Sequence, residues 1–205
     1  MSYTKVRNYS DDELLKRVKS LKNYNGIPSD YWILGVRSKA DTLDIFDDKF
    51  YLFKGEKFIL VTTGTTNPGK SILQGGWKRF NKDGAFVIKS DYWQYNLWKN
   101  GLHLGKMPAL IQLGAPVVGY RDNNNNDKSE EIGNVVRGWY GVNFHFNNWD
   151  VAPNKIFNPL FKVIHWMIGG WSAGCQVCNN PQDYMRIINA CKNQATITYC
   201  VLNEF

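Results

Sequence analysis

The chain has 205 residues, which is long enough for one domain with a substantial buried core. Its 43% hydrophobic content argues against disorder, and its 15% aromatic content favours a β-rich protein. The net charge is +7, but the basic residues are scattered, so nucleic-acid binding is not expected. Apolar runs are shorter than the roughly 20 residues that span a bilayer, and the polar start lacks an export signal. We therefore expect a soluble protein without membrane insertion.

The first element in chain order is an amphipathic helix. Ser10-Asp11-Asp12-Glu13 has the spacing of a capping box, with Ser at the cap and Glu three residues later. Apolar residues then recur at helical spacing: Leu14, Leu15, Val18 and Leu21. We expect this helix to end near Asn25-Gly26, and we assign residues 1–30 to an N-terminal helical extension and residues 31–205 to the main domain.

Short β-type segments make up most of the remaining chain, separated by clusters of Gly, Asn, Asp and Pro. They are residues 31–37, 50–54, 57–63, 84–89, 109–113 and 116–121. This pattern is typical of an all-β sandwich or barrel. Residues 179–183 have a capping Asn followed by Pro, which predicts a helix with a buried face of Tyr184, Ile187, Ile188 and Cys191. In residues 195–202, Thr196 and Thr198 alternate with Ile197 and Tyr199, which predicts the final strand.

Cys175 is the residue with the clearest chemical potential, because it follows the small residues Ser172-Ala173-Gly174. A cysteine attacks as its thiolate and needs a base to take the proton. A tight turn also lets backbone N–H groups converge on an oxyanion, and those of Gly174 and Cys175 are the candidates. His145 lies upstream in an alternating segment that we interpret as a strand, which is a rigid position for a base. The pattern predicts a cysteine acyl-transfer enzyme.

Two segments of this region together resemble the L,D-transpeptidase catalytic domain, in which a strand histidine is followed by Ser-His-Gly-Cys. They are Gly141-Val142-Asn143-Phe144-His145 and Ser172-Ala173-Gly174-Cys175-Gln176-Val177. Residues 63–69 and 84–88 are similar to the family's Thr-Pro-x-Gly turn and aromatic strand. The similarity covers roughly residues 33–177. Phage and Bacteroidetes-type proteins with a Trp-Ser-Ala-Gly-Cys-Gln turn are also similar.

The resemblance implies a mainly-β fold of the sandwich or barrel type, with an N-terminal helix and a helix after the nucleophile. It implies that the thiol attacks the stem peptide of peptidoglycan at a bond following diaminopimelate. An amine or water then resolves the thioester, and neither a metal nor an organic cofactor is required. The phage-like variant implies a protein made in the cytoplasm that acts at the bacterial cell wall.

Residue roles follow from the same resemblance. Cys175 would be the nucleophile, His145 the base, Gly174 the oxyanion turn and Ser172 a support of that turn. Two positions depart from the family pattern. Ala173 replaces a second histidine, and Gln176 replaces a hydrophobic residue that precedes an arginine. These departures remove side chains that would contact the substrate.

Four further residues are candidates for substrate binding. His103 lies between two glycines and is expected to line the groove. His165 lies in an apolar run, where packing or lining the site is expected rather than base catalysis. Trp139 and Trp171 are near the site in sequence and are candidates for a wall that contacts a glycan or peptide.

Alternative interpretations remain open at this point. A phage structural or binding protein could keep the fold without activity. Cys175 and Cys178 have C-x-x-C spacing and could act in a thiol oxidoreductase, although the usual βαβ context is missing. A structural zinc site would need two further ligands, which Cys191 and Cys200 do not supply as a second C-x-x-C pair. Residues 122–127 partly match a calcium loop, although a solvated turn is favoured.

Overall fold

The computed structural model describes residues 6–76, 82–147, 168 and 172–205. Within them, eight strands close into a barrel and three form a separate sheet. Numbered along the chain and given in spatial order, the barrel strands are β1 (Tyr31–Arg37), β11 (Ile197–Asn203), β5 (Tyr92–His103), β6 (Met107–Ile111), β9 (Phe144–Phe146), β10 (Gln176–Cys178), β3 (Lys57–Thr65) and β2 (Asp48–Lys54). The small sheet has the order β4 (Ala85–Ile88), β7 (Val117–Asp122), β8 (Val136–Gly138). The predicted mainly-β sandwich or barrel class is confirmed.

The barrel interior holds the largest hydrophobic cluster, to which all eight barrel strands contribute. The aromatic rings of Phe50, Trp98, Phe144 and Tyr199 contact one another in this cluster at centroid distances of 4.6–6.5 Å. Apolar side chains on the opposite face of β1, β2, β5 and β11 form a second cluster. Because alternate residues of a strand face opposite sides, these four strands contribute apolar side chains to both clusters.

The N-terminal helix covers that second cluster. α1 (Asp11–Lys19) begins at Ser10 with the predicted capping box, in which Ser10 and Glu13 bond each other's backbone N–H. Leu14, Leu15 and Val18 are buried against the outer face of the barrel. The helix ends at a C-cap of Ser20, earlier than predicted.

Two further helices flank the candidate site in sequence. α2 (Lys70–Leu73) is a single turn that the sequence did not predict. α3 (Pro181–Cys191) confirms the helix expected after Cys175: the Asn180 side chain accepts from the N–H groups of Gln182 and Asp183. Its predicted buried face also holds, because Tyr184, Ile187, Ile188 and Cys191 belong to the barrel core. None of the helices in the described part of the chain has the length and apolar character needed to cross a membrane.

Candidate active site

Strands β9 and β10 place Cys175 and His145 on one face. They pair in parallel, with Val177 opposite His145, and the Gln176 N–H donates to the Asn143 carbonyl at 2.8 Å. Phe144, Phe146 and Cys178 belong to the interior core, so the alternating residues Asn143, His145, Cys175 and Val177 face outward. Cys175 and Val177 pack in one outer cluster with Phe46 and Ile168. The predicted nucleophile and base are therefore diagonal neighbours on adjacent strands.

Hydrogen bonds to the backbone carbonyls of residues 172–175 hold the turn in place. All four carbonyls of residues 172–175 accept a hydrogen bond: Ser172 from the Gly69 N–H (2.9 Å), Ala173 from the Phe86 N–H (3.2 Å), Gly174 from Gln176 Nε2 (3.1 Å) and Cys175 from Ser172 Oγ (2.8 Å). Ser172 therefore makes the bonds that a residue supporting the turn requires.

Gly174 occupies a backbone position that suits only glycine. Its φ is +134°, and a Cβ there would lie 2.6 Å from the Phe86 carbonyl oxygen. Its N–H donates to Ser172 Oγ at 3.2 Å, so this group is engaged within the turn. The N–H of Cys175 is the other oxyanion donor suggested by the sequence, and it makes no hydrogen bond to an acceptor in the described residues.

Cys175 is a partly exposed residue, and its thiol is not in a disulfide. It donates to the Gly141 carbonyl oxygen, with a sulfur–oxygen distance of 3.4 Å. Burial raises the pKa of Cys175 to about 11, while a hydrogen bond from the Asn143 backbone acts in the opposite direction. At neutral pH this cysteine is therefore a thiol in the resting protein.

His145 is fully buried and has a fixed tautomer. Its Nδ1 lies 2.7 Å from the Phe146 carbonyl oxygen. A carbonyl can only accept, so Nδ1 carries the proton and Nε2 carries the lone pair. Burial and, second, the neighbouring His103 lower the pKa of His145 to about 3. The imidazole is neutral at rest, and Nε2 is the nitrogen that can take a proton.

His103 joins the site from the end of β5. Its ring stacks on that of His145 with centroids 4.1 Å apart and planes within 12°. Asn143 fixes it: Oδ1 accepts from the Gln112 N–H at 2.8 Å, so Nδ2 faces His103 Nδ1 as the donor at 2.9 Å. Burial lowers the pKa of His103 to about 4. The structure brings His103 next to His145, and its contact with a substrate stays a prediction.

An aromatic and basic surface adjoins the thiol. Trp139 is 59% exposed, and Tyr140 stacks on Phe86 at 4.8 Å. The Arg121 guanidinium lies 5.0 Å from the Tyr140 ring centroid. The backbone next to Tyr140 contacts the thiol through Gly141. Sequence reasoning missed Arg121, because only the pairing of β7 with β4 and β8 brings it here. Trp171 and His165 lie outside the described residues.

The geometry argues against a disulfide between Cys175 and Cys178. Cys178 is fully buried and points into the barrel, whereas Cys175 faces outward. Their separation along an extended strand is roughly 10 Å, and a disulfide needs Cα atoms within about 7 Å. Burial also raises the pKa of Cys178 to about 12.

The sequence also raised the possibility of two metal sites, a zinc site and a calcium loop. Among the described residues, no three His, Cys, Asp or Glu side chains are placed to hold a metal ion. Side-chain oxygens of Asp122, Asn124 and Asn126 accept from backbone N–H groups of residues 124–130. These oxygens are therefore engaged in hydrogen bonds within the turn.

Comparisons with known proteins add no family assignment. Neither a scan against protein-family models nor a search of curated proteins gave a match. The resemblance to L,D-transpeptidases therefore depends on the quoted segments, and the roles below depend on the geometry of β9, β10 and the turn before Cys175.

Proposed function

We propose that the protein is a cysteine acyl transferase or peptidase that acts on the peptidoglycan stem peptide through a thioester on Cys175. One observation carries the proposal. Cys175 and His145 share the outward face of two paired strands, and the Phe146 carbonyl fixes the lone pair of His145 on Nε2. A nucleophile with a neighbouring, oriented base is the arrangement that covalent acyl transfer requires.

The protonation states favour a coupled first step. Because thiol and imidazole are both neutral at rest, Sγ loses its proton to His145 Nε2 as it bonds to the peptide carbonyl carbon. The C–N bond of the tetrahedral intermediate then breaks, and the imidazolium returns the proton to the leaving amine. An incoming amine or water then attacks the thioester carbon and gives its proton to Nε2. The C–S bond breaks, the new amide or acid is released, and the imidazolium returns the proton to Sγ to regenerate the thiol.

The oxyanion of the intermediate needs a donor outside the barrel. The Gly174 N–H is engaged by Ser172, so the Cys175 N–H takes this role in the proposal. The resemblance supplies the substrate class, and the protein's surface is compatible with it. Trp139 offers an exposed aromatic wall. Arg121 offers a cation for a substrate carboxylate, since its only described ion-pair partner, Asp83, is 3.8 Å away and 61% exposed.

The test is incubation with muropeptides that carry a tetrapeptide stem containing diaminopimelate. We expect intact-mass spectrometry to find an acyl adduct on Cys175, with release of the residue that follows diaminopimelate. Cys175→Ser should remove the adduct, and Cys178→Ser is the matched control that should keep it. Absence of an adduct and of any stem cleavage or cross-linking in the wild-type protein would reject the proposal.

A second candidate function is favoured by the raised pKa of Cys175 and the lowered pKa of His145. Neither group is activated before a substrate arrives, which also fits a binding or structural protein that keeps the fold without turnover. The same experiment separates the two. Muropeptide binding by the wild-type protein without an adduct would support this candidate.

A further inference from the structure

We infer that Gln176 is a positioning residue that, together with Tyr199, aims the Cys175 N–H at the oxyanion from inside the barrel. The inference rests on the proposed function, because it assigns a role in acyl transfer. Gln176 stands where the resembling family has a hydrophobic residue, and nothing in the mechanism above uses its side chain. A buried amide at that position calls for an explanation.

Both polar atoms of the Gln176 side-chain amide make hydrogen bonds. It is fully buried, and its Oε1 accepts from the Tyr199 hydroxyl at 2.6 Å. Nε2 donates to the Gly174 carbonyl at 3.1 Å and to the Thr66 carbonyl at 3.3 Å. Gly35 leaves room for this arrangement, since a Cβ there would lie 2.2 Å from the Tyr199 hydroxyl oxygen. The amide is therefore held at both ends.

Thr66, whose carbonyl accepts one of these bonds, is held by the buried side chains of Asp48 and Arg37. Asp48 accepts from the Thr66 N–H at 2.6 Å and from the Thr66 hydroxyl at 2.8 Å. Arg37 donates from Nε to the same hydroxyl at 3.1 Å. Thr66 cannot shift without breaking these charge-assisted bonds, so its carbonyl is a firm partner for Gln176.

Planarity of the peptide unit connects this network to catalysis. The Gly174 C=O and the Cys175 N–H belong to the same peptide, and in a trans peptide they point in opposite directions. Gln176 draws the carbonyl toward the barrel interior, so the N–H is directed toward the outer side, where the thiol lies. Without Gln176 the peptide between Gly174 and Cys175 could rotate, and the Cys175 N–H would no longer point toward the oxyanion.

Two small reagents test the inference without a muropeptide. Iodoacetamide alkylates the Cys175 sulfur without forming an oxyanion, whereas p-nitrophenyl acetate acylates it through a tetrahedral oxyanion. We expect Gln176→Met to slow acylation by roughly 10-fold or more, because removing an oxyanion donor costs roughly 100- to 1000-fold. Alkylation should change by less than about twofold, since it needs no such donor.

Gln194→Met is the matched control. The Gln194 side-chain amide also bonds to the backbone, with Nε2 donating to the Tyr31 carbonyl at 2.8 Å. This bond lies at the start of β1, away from Gly35 and the Gln176 network. This variant should leave both rates unchanged. Equal slowing of both reagents in Gln176→Met, or no slowing of either, would overturn the inference and leave Gln176 with a structural role.

Tyr199→Phe keeps the inference testable if Gln176→Met does not fold. It removes the bond to Oε1 and keeps the Nε2 donors, so selective slowing of acylation by a smaller factor is expected. Unchanged acylation in Tyr199→Phe, together with failure of Gln176→Met to fold, would count against the inference. Because neither reagent is a muropeptide, a negative muropeptide assay would reject the proposed function without deciding this result.

Discussion

Gly174→Ala is the substitution whose cost follows most directly from the geometry. At φ +134° an alanine would be strained, which costs about 1–3 kcal/mol. The new Cβ would also lie 2.6 Å from the Phe86 carbonyl oxygen and 2.9 Å from the Phe86 Cβ. The carbonyl is backbone and cannot turn away, so this overlap costs about 1–3 kcal/mol more. We expect the free energy of unfolding to fall by about 2–6 kcal/mol.

Urea unfolding followed by fluorescence measures this change, and Gly26→Ala is the control. Gly26 also has a positive φ, +92°, but a Cβ there would meet nothing within 4 Å. Its substitution therefore reports backbone strain alone, and the difference between the two variants reports crowding at the Phe86 carbonyl. If Gly174→Ala loses no more stability than Gly26→Ala, the reasoning about this close approach is refuted.

Three further predictions concern the site. His145 is protonated near its ordinary pKa of 6.5 in the unfolded chain but only near 3 in the folded chain. Between pH 6.5 and 3 the wild-type protein should therefore lose stability relative to His145→Phe, by up to about 1.4 kcal/mol per pH unit, which calorimetry can measure. Stability curves of the two proteins that stay parallel over this pH range would contradict the lowered pKa. Cys178→Ser should leave muropeptide turnover nearly unchanged, whereas Cys175→Ser should abolish it. An equal loss of turnover in both variants would instead support a mechanism that uses both thiols. Arg121→Gln should raise KM for a stem with free carboxylates several-fold at nearly constant kcat, and an unchanged KM would exclude the carboxylate contact.

Local patterns were sufficient where one short segment determines the structure. β1 matches its predicted bounds, 31–37, because apolar residues fill the strand and the preceding Ser-Asp marks its start. The capping box of α1 and the Asn-Pro start of α3 were also correct. In each case the side chains that decide the element are within a few residues of it.

The longest strand, β5, was missed because its sequence contains residues that usually end strands. Asn96 has φ +55°, and the Thr198 hydroxyl accepts from its N–H while the pairing with β11 shifts register nearby. The strand therefore tolerates Asn96 as an irregularity. Gly101 faces Ile111 of the paired strand β6, so a glycine fits there for packing reasons. Neither partner is near in sequence.

The same distinction applies to the candidate site. The sequence suggests Cys175, His145 and the small residues of the turn as candidates, because residue type and order carry that information. It could not identify the parallel pairing of β9 with β10, the stacking of His103 on His145, or the inward bond of Gln176 to the Gly174 carbonyl. These contacts depend on how distant strands assemble into the barrel.

The rate of the first acylation of Cys175 by a tetrapeptide-stem muropeptide tests the central claim most directly. It should be measured by rapid quench and intact-mass spectrometry in the wild-type protein and in His145→Gln. General-base catalysis typically contributes about 100- to 10,000-fold, so the variant should form the thioester at least about 100-fold more slowly. Thioester formation at equal rates in both proteins would contradict the assignment of His145 as the base for Cys175.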